Sequence, residues 1–369
     1  MKTIDRTYKG VTPLYPMERF CDPASSLFID IETTGLKKET TTLYLIGCGH
    51  YSDQGFVTRL FFADSPDEEY DILRQFEEYS ENFTTLIHFN GLKFDIPYLK
   101  YKALLYDMND FTDRFSQIDV YKMCAPLRYL LFPGSMRQKA IESFLEISRE
   151  DKYGGGELIQ VYKDYVAYNH EADLSLLITH NLEDVLGMHR IMPILYYLDL
   201  YNVSLSFKGY RLDKYKDLYG DECEEVIFEY ITDVFVPKSF IAKTDSMYIK
   251  FSSENGRMLI RLPVIHDDML LFFDNYKDYC YLPEEDTVIP RALAGSLPKN
   301  RYQKATRQNC CQKVTGSFLK QPAEIFYPVL KTSYKDKRKY FRFPEDFDEK
   351  TAEEFGRKLI NVFFTMKHR

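Results

Sequence analysis

Two carboxylates set two residues apart in an apolar run are the first candidates for chemistry: Leu27-Phe28-Ile29-Asp30-Ile31-Glu32-Thr33-Thr34-Gly35. Strand side chains alternate, so Asp30 and Glu32 share one face while Ile29 and Ile31 share the other. Like charges at that range raise each other's pKa and cost stability unless a cation or buried donors offset them. No Lys or Arg lies between Leu27 and Leu36, and oxygen donors favour a hard divalent ion, Mg2+ or Mn2+. The plainer alternative has Asp30 capping a turn and Glu32 solvated. Against it, carboxylates rarely interrupt a buried apolar strand.

Two further acidic positions bear on that pair. In His88-Phe89-Asn90-Gly91-Leu92-Lys93-Phe94-Asp95-Ile96-Pro97, Asp95 stands where a helix begins. It can serve as an N-cap, as a metal ligand facing the first strand, or as both. In His180-Asn181-Leu182-Glu183-Asp184-Val185, His180 and Asp184 are one helical turn apart and stack on one face. A neutral imidazole there can take a proton from water, and a plain surface His-Asp pair is the alternative. Asp119 and Asp173 read as local structure at element ends, and His50, His189 and His266 as packing or surface residues. Gly154-Gly155-Gly156 lacks the Gly-Lys-Ser/Thr of a phosphate loop.

The elements that must position these residues follow from periodicity. Leu27–Ile31, Leu43–Cys48 and Phe56–Phe62 read as strands, with a turn at Gly55. Ser65 and Pro66 open a helix carrying Ile72, Leu73, Phe76 and Tyr79. Thr84–Phe89 reads as a strand, a further strand precedes the helix at Asp95, and Ser116–Tyr121 is short and extended. Helices follow around Tyr121–Leu131, Gln138–Leu145 and Glu157–Tyr168, and a long one from Ala172 to Leu195. Strands first, then strands alternating with helices, predict an α/β fold with a central mixed β-sheet flanked by helices. Residues 201–369 read as an α+β accessory domain. It has a helix over Glu224–Thr232, a hairpin joining Met247–Phe251 to Met258–Leu262 through Glu254-Asn255-Gly256, strands at Leu270–Phe273, Tyr279–Leu282 and Lys339–Phe343, and a last helix, Ala352–Phe364, burying Phe355, Leu359, Val362 and Phe363.

The order Asp-x-Glu, then Asp, then His-x-x-x-Asp resembles the DEDD exonuclease group of the ribonuclease H-like superfamily, most closely the YprB-type ribonuclease H-like domain. The resemblance covers Leu14 to Leu195, within a domain of residues 1–200. Its motifs are Phe28 to Gly35, His88 to Gly91 with Phe94-Asp95, and His180 to Val185. Gly155 to Leu158 and Gln138 to Glu142 are less distinctive. It implies a ribonuclease H-like fold in which Asp30, Glu32, Asp95 and Asp184 hold two metal ions and His180 orients or deprotonates the attacking water. It also implies that Thr33, Gly35 and Asn90 border the terminal nucleotide, although Asn90 is equally a turn former. Polarity, 3' to 5', comes from the resemblance alone. Better-known subtypes carry Tyr four residues or His five residues before the last Asp. Here His stands at the Tyr spacing, which leaves the role of His180 open.

Charge and composition set the surroundings. The formal net charge is -8, yet Arg291 to Arg342 holds thirteen Lys or Arg against two acids. That asymmetry suits a polyanion-facing patch, or an ordinary solvated surface. Lys299, Arg301, Lys304 and Arg307 recur at helix-like intervals. Lys335, Lys337, Arg338 and Lys339 flank Tyr334, Tyr340 and Phe341, rings suited either to base stacking or to a core. Seven scattered cysteines without a CxxC and no secretory signal fit a reduced, cytoplasmic, bacterial protein, and no run of about twenty apolar residues spans a membrane. The expected activity is two-metal hydrolysis of single-stranded nucleic acid at 3' ends, with DNA favoured over RNA. The rivals are a scaffold that binds without turnover and an endonucleolytic or RNA-processing enzyme on the same fold.

Overall fold

A six-stranded sheet organises the first half of the chain in a computed structural model that describes residues 1–132, 134–216, 218–343 and 347–366. Its strands are β1 (Lys2–Lys9), β2 (Ser26–Thr33), β3 (Leu43–Ser52), β4 (Gly55–Phe62), β5 (Thr85–His88) and β6 (Ser116–Asp119), in the order β1-β4-β3-β2-β5-β6. Strands β1 to β4 pair antiparallel, while β5 and β6 run parallel to β2. β2 lies at the centre and, apart from half-buried Asp30, is buried throughout, as an apolar run covered on both faces must be. Gly55 makes the tight β3–β4 turn at φ +132°, where a Cβ would stand 2.1 Å from the Tyr8 carbonyl oxygen.

Four details differ from the sequence expectation. The lead-in contributes an edge strand, β1, whose Asp5 faces Arg59 across the ladder at 2.6 Å. Charged residues on such an edge discourage pairing with another chain, and they hide its strand character from a hydrophobic pattern. Ser65 makes no side-chain cap to the turn Pro66–Glu68 that leads into α1 (Glu69–Ser80); the Glu68 carboxylate instead accepts the Asp64 N–H at 2.7 Å. No further strand intervenes between β5 and Asp95: Asn90 takes φ +64° and the following turn runs straight into α2 (Asp95–Leu105). The helix expected from Glu157 begins two residues earlier, with Gly155 and Gly156 in its first turn.

The remaining helices of this half are α3 (Val120–Cys124), α4 (Arg128–Leu131), α5 (Gln138–Phe144), α6 (Gly155–Tyr168) and α7 (Glu171–Ile191). α7 passes into a 3-10 segment, Met192–Asn202, rather than continuing as α-helix to Leu195. The chain divides into two compact units, Met1–Arg128 with Phe132–Tyr197, and Tyr129–Leu131 with Leu198–Arg369.

The second unit contains a five-stranded antiparallel sheet of β7 (Ser206–Lys216), β8 (Glu222–Ile231), β9 (Phe240–Thr244), β10 (Met247–Ser252) and β11 (Arg257–Pro263). It also holds β12 (Ile265–Phe272), β13 (Tyr279–Leu282), β14 (Thr287–Pro290), α8 (Arg291–Ala294), β15 (Gln303–Lys304), β16 (Cys311–Gln321), β17 (Lys339–Arg342) and α9 (Glu349–Thr365). The helix expected over Glu224–Thr232 is β8, because Val226, Ile227, Phe228, Tyr230 and Ile231 favour a pleated, half-buried surface. α9 buries Phe355, Leu359 and Phe363 as its spacing predicts, with Val362 only half-buried. Lys299 to Arg307 form turns and a short strand rather than a helix. Tyr340 and Phe341 are core residues, Phe341 stacking on Phe326 at 4.1 Å, so neither ring is free for a base. All seven cysteines are free, and among the described residues no helix is long and apolar enough to cross a membrane.

Candidate metal centre

Strand β2 and helix α7 present the acidic residues to each other. Asp30 and Glu32 project from the same face of β2, and α7 packs on β2 and β3. That approach depends on Gly47, which lies directly across the ladder from Asp30. A Cβ at Gly47 would stand 1.9 Å from Asn181 Oδ1 and 3.0 Å from Val185 Cγ2, so only glycine lets the helix settle there. Asn181 then donates from Nδ2 to Asp30 Oδ2 at 2.8 Å. Between Glu32 and Thr33 the ladder slips, leaving Tyr44 unpaired on β2, its ring stacked on Tyr162 of α6 at 4.1 Å.

One helical turn apart on α7, His180 and Asp184 face Glu32. His180 Nε2 lies 3.4 Å from Glu32 Oε1 and 3.3 Å from Asp184 Oδ2. Donor atoms of Glu32, His180 and Asp184 all fall within 4.8 Å of one another. The other ring nitrogen of His180, Nδ1, is 2.7 Å from Asp151 Oδ2. Asp30, Glu32, His180 and Asp184 line an open cleft of about 500 Å3 bordered by Arg137, Gln138 and Lys139.

Asp95, buried at the first position of α2, adds its charge from the side. Burial, followed by the neighbouring Asp184, Glu32 and Asp95, pushes the Asp30 carboxyl well above the ordinary carboxylate range. Glu32 is raised in the same way, by burial and then by Asp184, Asp95 and Asp151. Asp95 is pushed up to about 7, chiefly by burial, although the backbone amides of Asp95 and Ile31 pull the other way. Carboxylates raised by one another are the electrostatic signature of a cation site. The donor set, carboxylate oxygens with one imidazole and no thiolate, fits a hard divalent ion.

Of the residues expected at the terminal nucleotide, none lines this cleft with its side chain directed at the acids. Thr33 is buried and donates from Oγ1 to the Gly35 carbonyl at 2.8 Å. Asn90 lines a separate, adjacent pocket, and its N–H bonds Asp119 Oδ1 at 2.9 Å. Asp119 also caps α3, and Asp173 sits in the first turn of α7, both local roles. His50 and His189 bond Tyr79 and Tyr51 at 3.0 and 2.6 Å, and His266 is exposed.

Sequence reasoning missed Arg149, Asp151 and Asn181. Arg149 donates to Asp184 Oδ1 at 2.7 Å and to both oxygens of buried Glu142 at 3.1 Å. The loop carrying Arg149 and Asp151 is held by Glu183, whose carboxylate accepts the N–H groups of Glu150 and Asp151 at 2.8 Å each. Asn181 had a usable signal, three residues before Asp184 on the same helix. Arg149 and Asp151 had none, because a loop has no period that places a side chain.

Residues 27–196 match the family model described as the RNase_H superfamily. No curated protein matches the chain. Among solved structures, it is similar to the family B DNA polymerase of the hyperthermophilic archaeon Pyrobaculum calidifontis at 15% identity and a TM-score of 0.40, over 54% of this chain and 29% of that one. It is similar to E. coli exonuclease I in complex with a dA16 oligonucleotide at 12% identity and TM-score 0.28, over 56% of this chain and 54% of that one. Exonuclease I of Methylocaldum szegediense gives 12% identity and TM-score 0.28, over 92% of this chain and 69% of that one. The chain thus spans less than two thirds of the length of the first two. With its mixed sheet flanked by helices, the segment matched by the family model has a ribonuclease H-like fold.

Proposed function

We propose that this chain is a metal-dependent 3'-to-5' exonuclease of the YprB-type branch, acting on single-stranded ends, DNA in preference to RNA. The observation that carries the reading is the gathering of carboxylates around one oriented imidazole: Glu32 and Asp184 lie 3.4 and 3.3 Å from His180 Nε2. Asp30, Glu32, Asp95 and Asp184 would hold two Mg2+ or Mn2+ ions. Such ions supply the charge that acidifies a water molecule and offsets charge building on the phosphate. Asp151 fixes the ring through Nδ1, so Nε2 faces the cleft and takes the proton of the attacking water. Asn181 keeps Asp30 aimed at the same point. The exposed Lys and Arg of residues 291–342 draw the polyanion toward an otherwise acidic protein.

The pairing of Arg149 with Asp184 favours a second reading, a nucleic-acid scaffold in which an internal guanidinium stands where a metal would. One assay separates the two. Single-stranded DNA and RNA labelled at the 5' end are incubated with Mg2+ or Mn2+, beside an Asp30→Asn control. A ladder shortening stepwise from the 3' end, absent in the control, supports the exonuclease. Internal cuts favour an endonuclease, and binding without cleavage under either metal favours the scaffold.

A further inference from the structure

Beside the acidic cleft lies a second pocket of about 350 Å3, lined by Phe89, Asn90, Lys93, Tyr121, Arg137 and Gln138 among others. Arg137 and Gln138 line both cavities, so the two share a wall. Gln138 is anchored, donating from Nε2 to the Asp184 carbonyl at 2.9 Å and to Glu142 at 3.0 Å. Arg137 is exposed and makes no side-chain ion pair or hydrogen bond among the described residues. On the far wall Phe89 and Tyr121 meet edge to face with centroids 5.8 Å apart, and the Lys93 ammonium lies 5.9 Å from the Tyr121 ring. Both rings are only half-buried, and Lys93 is exposed. A pocket combining ring surface, amide edges and uncompensated positive charge is unlike the acidic cleft beside it.

We infer that this pocket is a nucleobase subsite. It receives the base of a nucleotide upstream of the scissile phosphate, against Phe89 and Tyr121, while Arg137 holds the intervening phosphate. The inference rests on the exonuclease reading for which end of the strand is threaded, but the chemistry of the pocket stands by itself. Rings give sequence-tolerant stacking, and the unpaired guanidinium gives a backbone contact whose strength falls with salt. Asn90, whose backbone N–H donates to Asp119 Oδ1 at 2.9 Å, lines the same pocket.

The test is equilibrium binding of a fluorescein-labelled (dT)8 strand in Mg2+, with every variant made in the Asp30→Asn background so that turnover does not consume the probe. Tyr121→Ala should weaken binding by about five- to hundredfold, as loss of one stacked base does. Tyr121→Phe should bind within about twofold of its parent. Arg137→Ala should reduce the slope of log affinity against log salt by about 0.7, the contribution of one phosphate on a single strand. Unchanged affinity for Tyr121→Ala, an equal loss for Tyr121→Phe, or an unchanged salt slope for Arg137→Ala would overturn the assignment. Melting curves verify folding, and exposed Arg137 carries the test if Tyr121→Ala does not fold. The 3'-ladder assay on the unmodified protein fails separately: no ladder with the subsite effects intact removes the exonuclease and leaves the subsite.

Discussion

His180 is gripped at Nδ1 by Asp151 at 2.7 Å and offered to the cleft at Nε2, where Asp184 and Glu32 stand farther off at 3.3 and 3.4 Å. Asp151 therefore positions the imidazole without entering the cleft, and Asp151→Asn is expected to lower kcat by about 10- to 100-fold. Oligonucleotide affinity in the same variant should stay unchanged, which parallel turnover and binding titrations will check. Glu32→Gln removes one of the repelling charges. The metal-free variant is expected to melt higher than the parent at neutral pH, while the Tm increase on adding Mn2+ shrinks or vanishes. The facing of Asp30 with Glu32 and of His180 with Asp184 is legible in the sequence, because strand alternation and helix spacing dictate it. Arg149 is not legible in this way: it reaches Asp184 from a loop, across 35 positions of chain, through contacts that no local pattern encodes.

At the scale of elements, the site depends on how closely α7 approaches β3. Gly47→Ala places a methyl group inside Asn181 and is expected to destabilise by about 1 to 3 kcal/mol in urea titrations, as overpacking does. The double variant Gly47→Ala/Asn181→Ala should recover part of that loss, since the nearest clash is with the Asn181 amide. A cycle showing no coupling between the two positions would refute this account of the packing. Elements with a clean period or turn signal, β2, β3, β4, α1 and the β10–β11 hairpin, follow from the sequence. β1 does not, because an edge strand carries too few buried residues to show a pattern. The sequence of β8 reads as helix because its apolar positions lie close together and satisfy both templates, and pairing with β7 and β11 decides the matter.

At the scale of the whole molecule, the acidic cluster couples folding to pH and to metal. Raised carboxyl pKa values mean that the folded state binds more protons than the unfolded chain. Stability is therefore fully present below the unfolded pKa near 4 and declines as pH rises through the folded value of about 7 for Asp95. Scanning calorimetry of metal-free protein should show Tm falling by several degrees over that interval, and Mg2+ or Mn2+ should reverse the fall most strongly above pH 7. Binding to single strands should weaken steeply with salt, and replacing exposed Lys335 and Lys337 together by Ala should flatten that dependence by about 1.4 in slope, two single-strand phosphate contacts. The accessory half was the least legible, since its sheets are joined by pairings distant in sequence, and its rings serve the core. The unpaired Tyr44 carries a further consequence. Because Tyr44 is the one extra residue of a bulge, deleting it would close the ladder, with Leu45 still opposite Glu32 and Gly47 still opposite Asp30, and the loss would fall on the ring that stacks on Tyr162. A deletion at that point is therefore absorbed by the bulge, and the loop just before it, residues 35–41, can lengthen without moving the register.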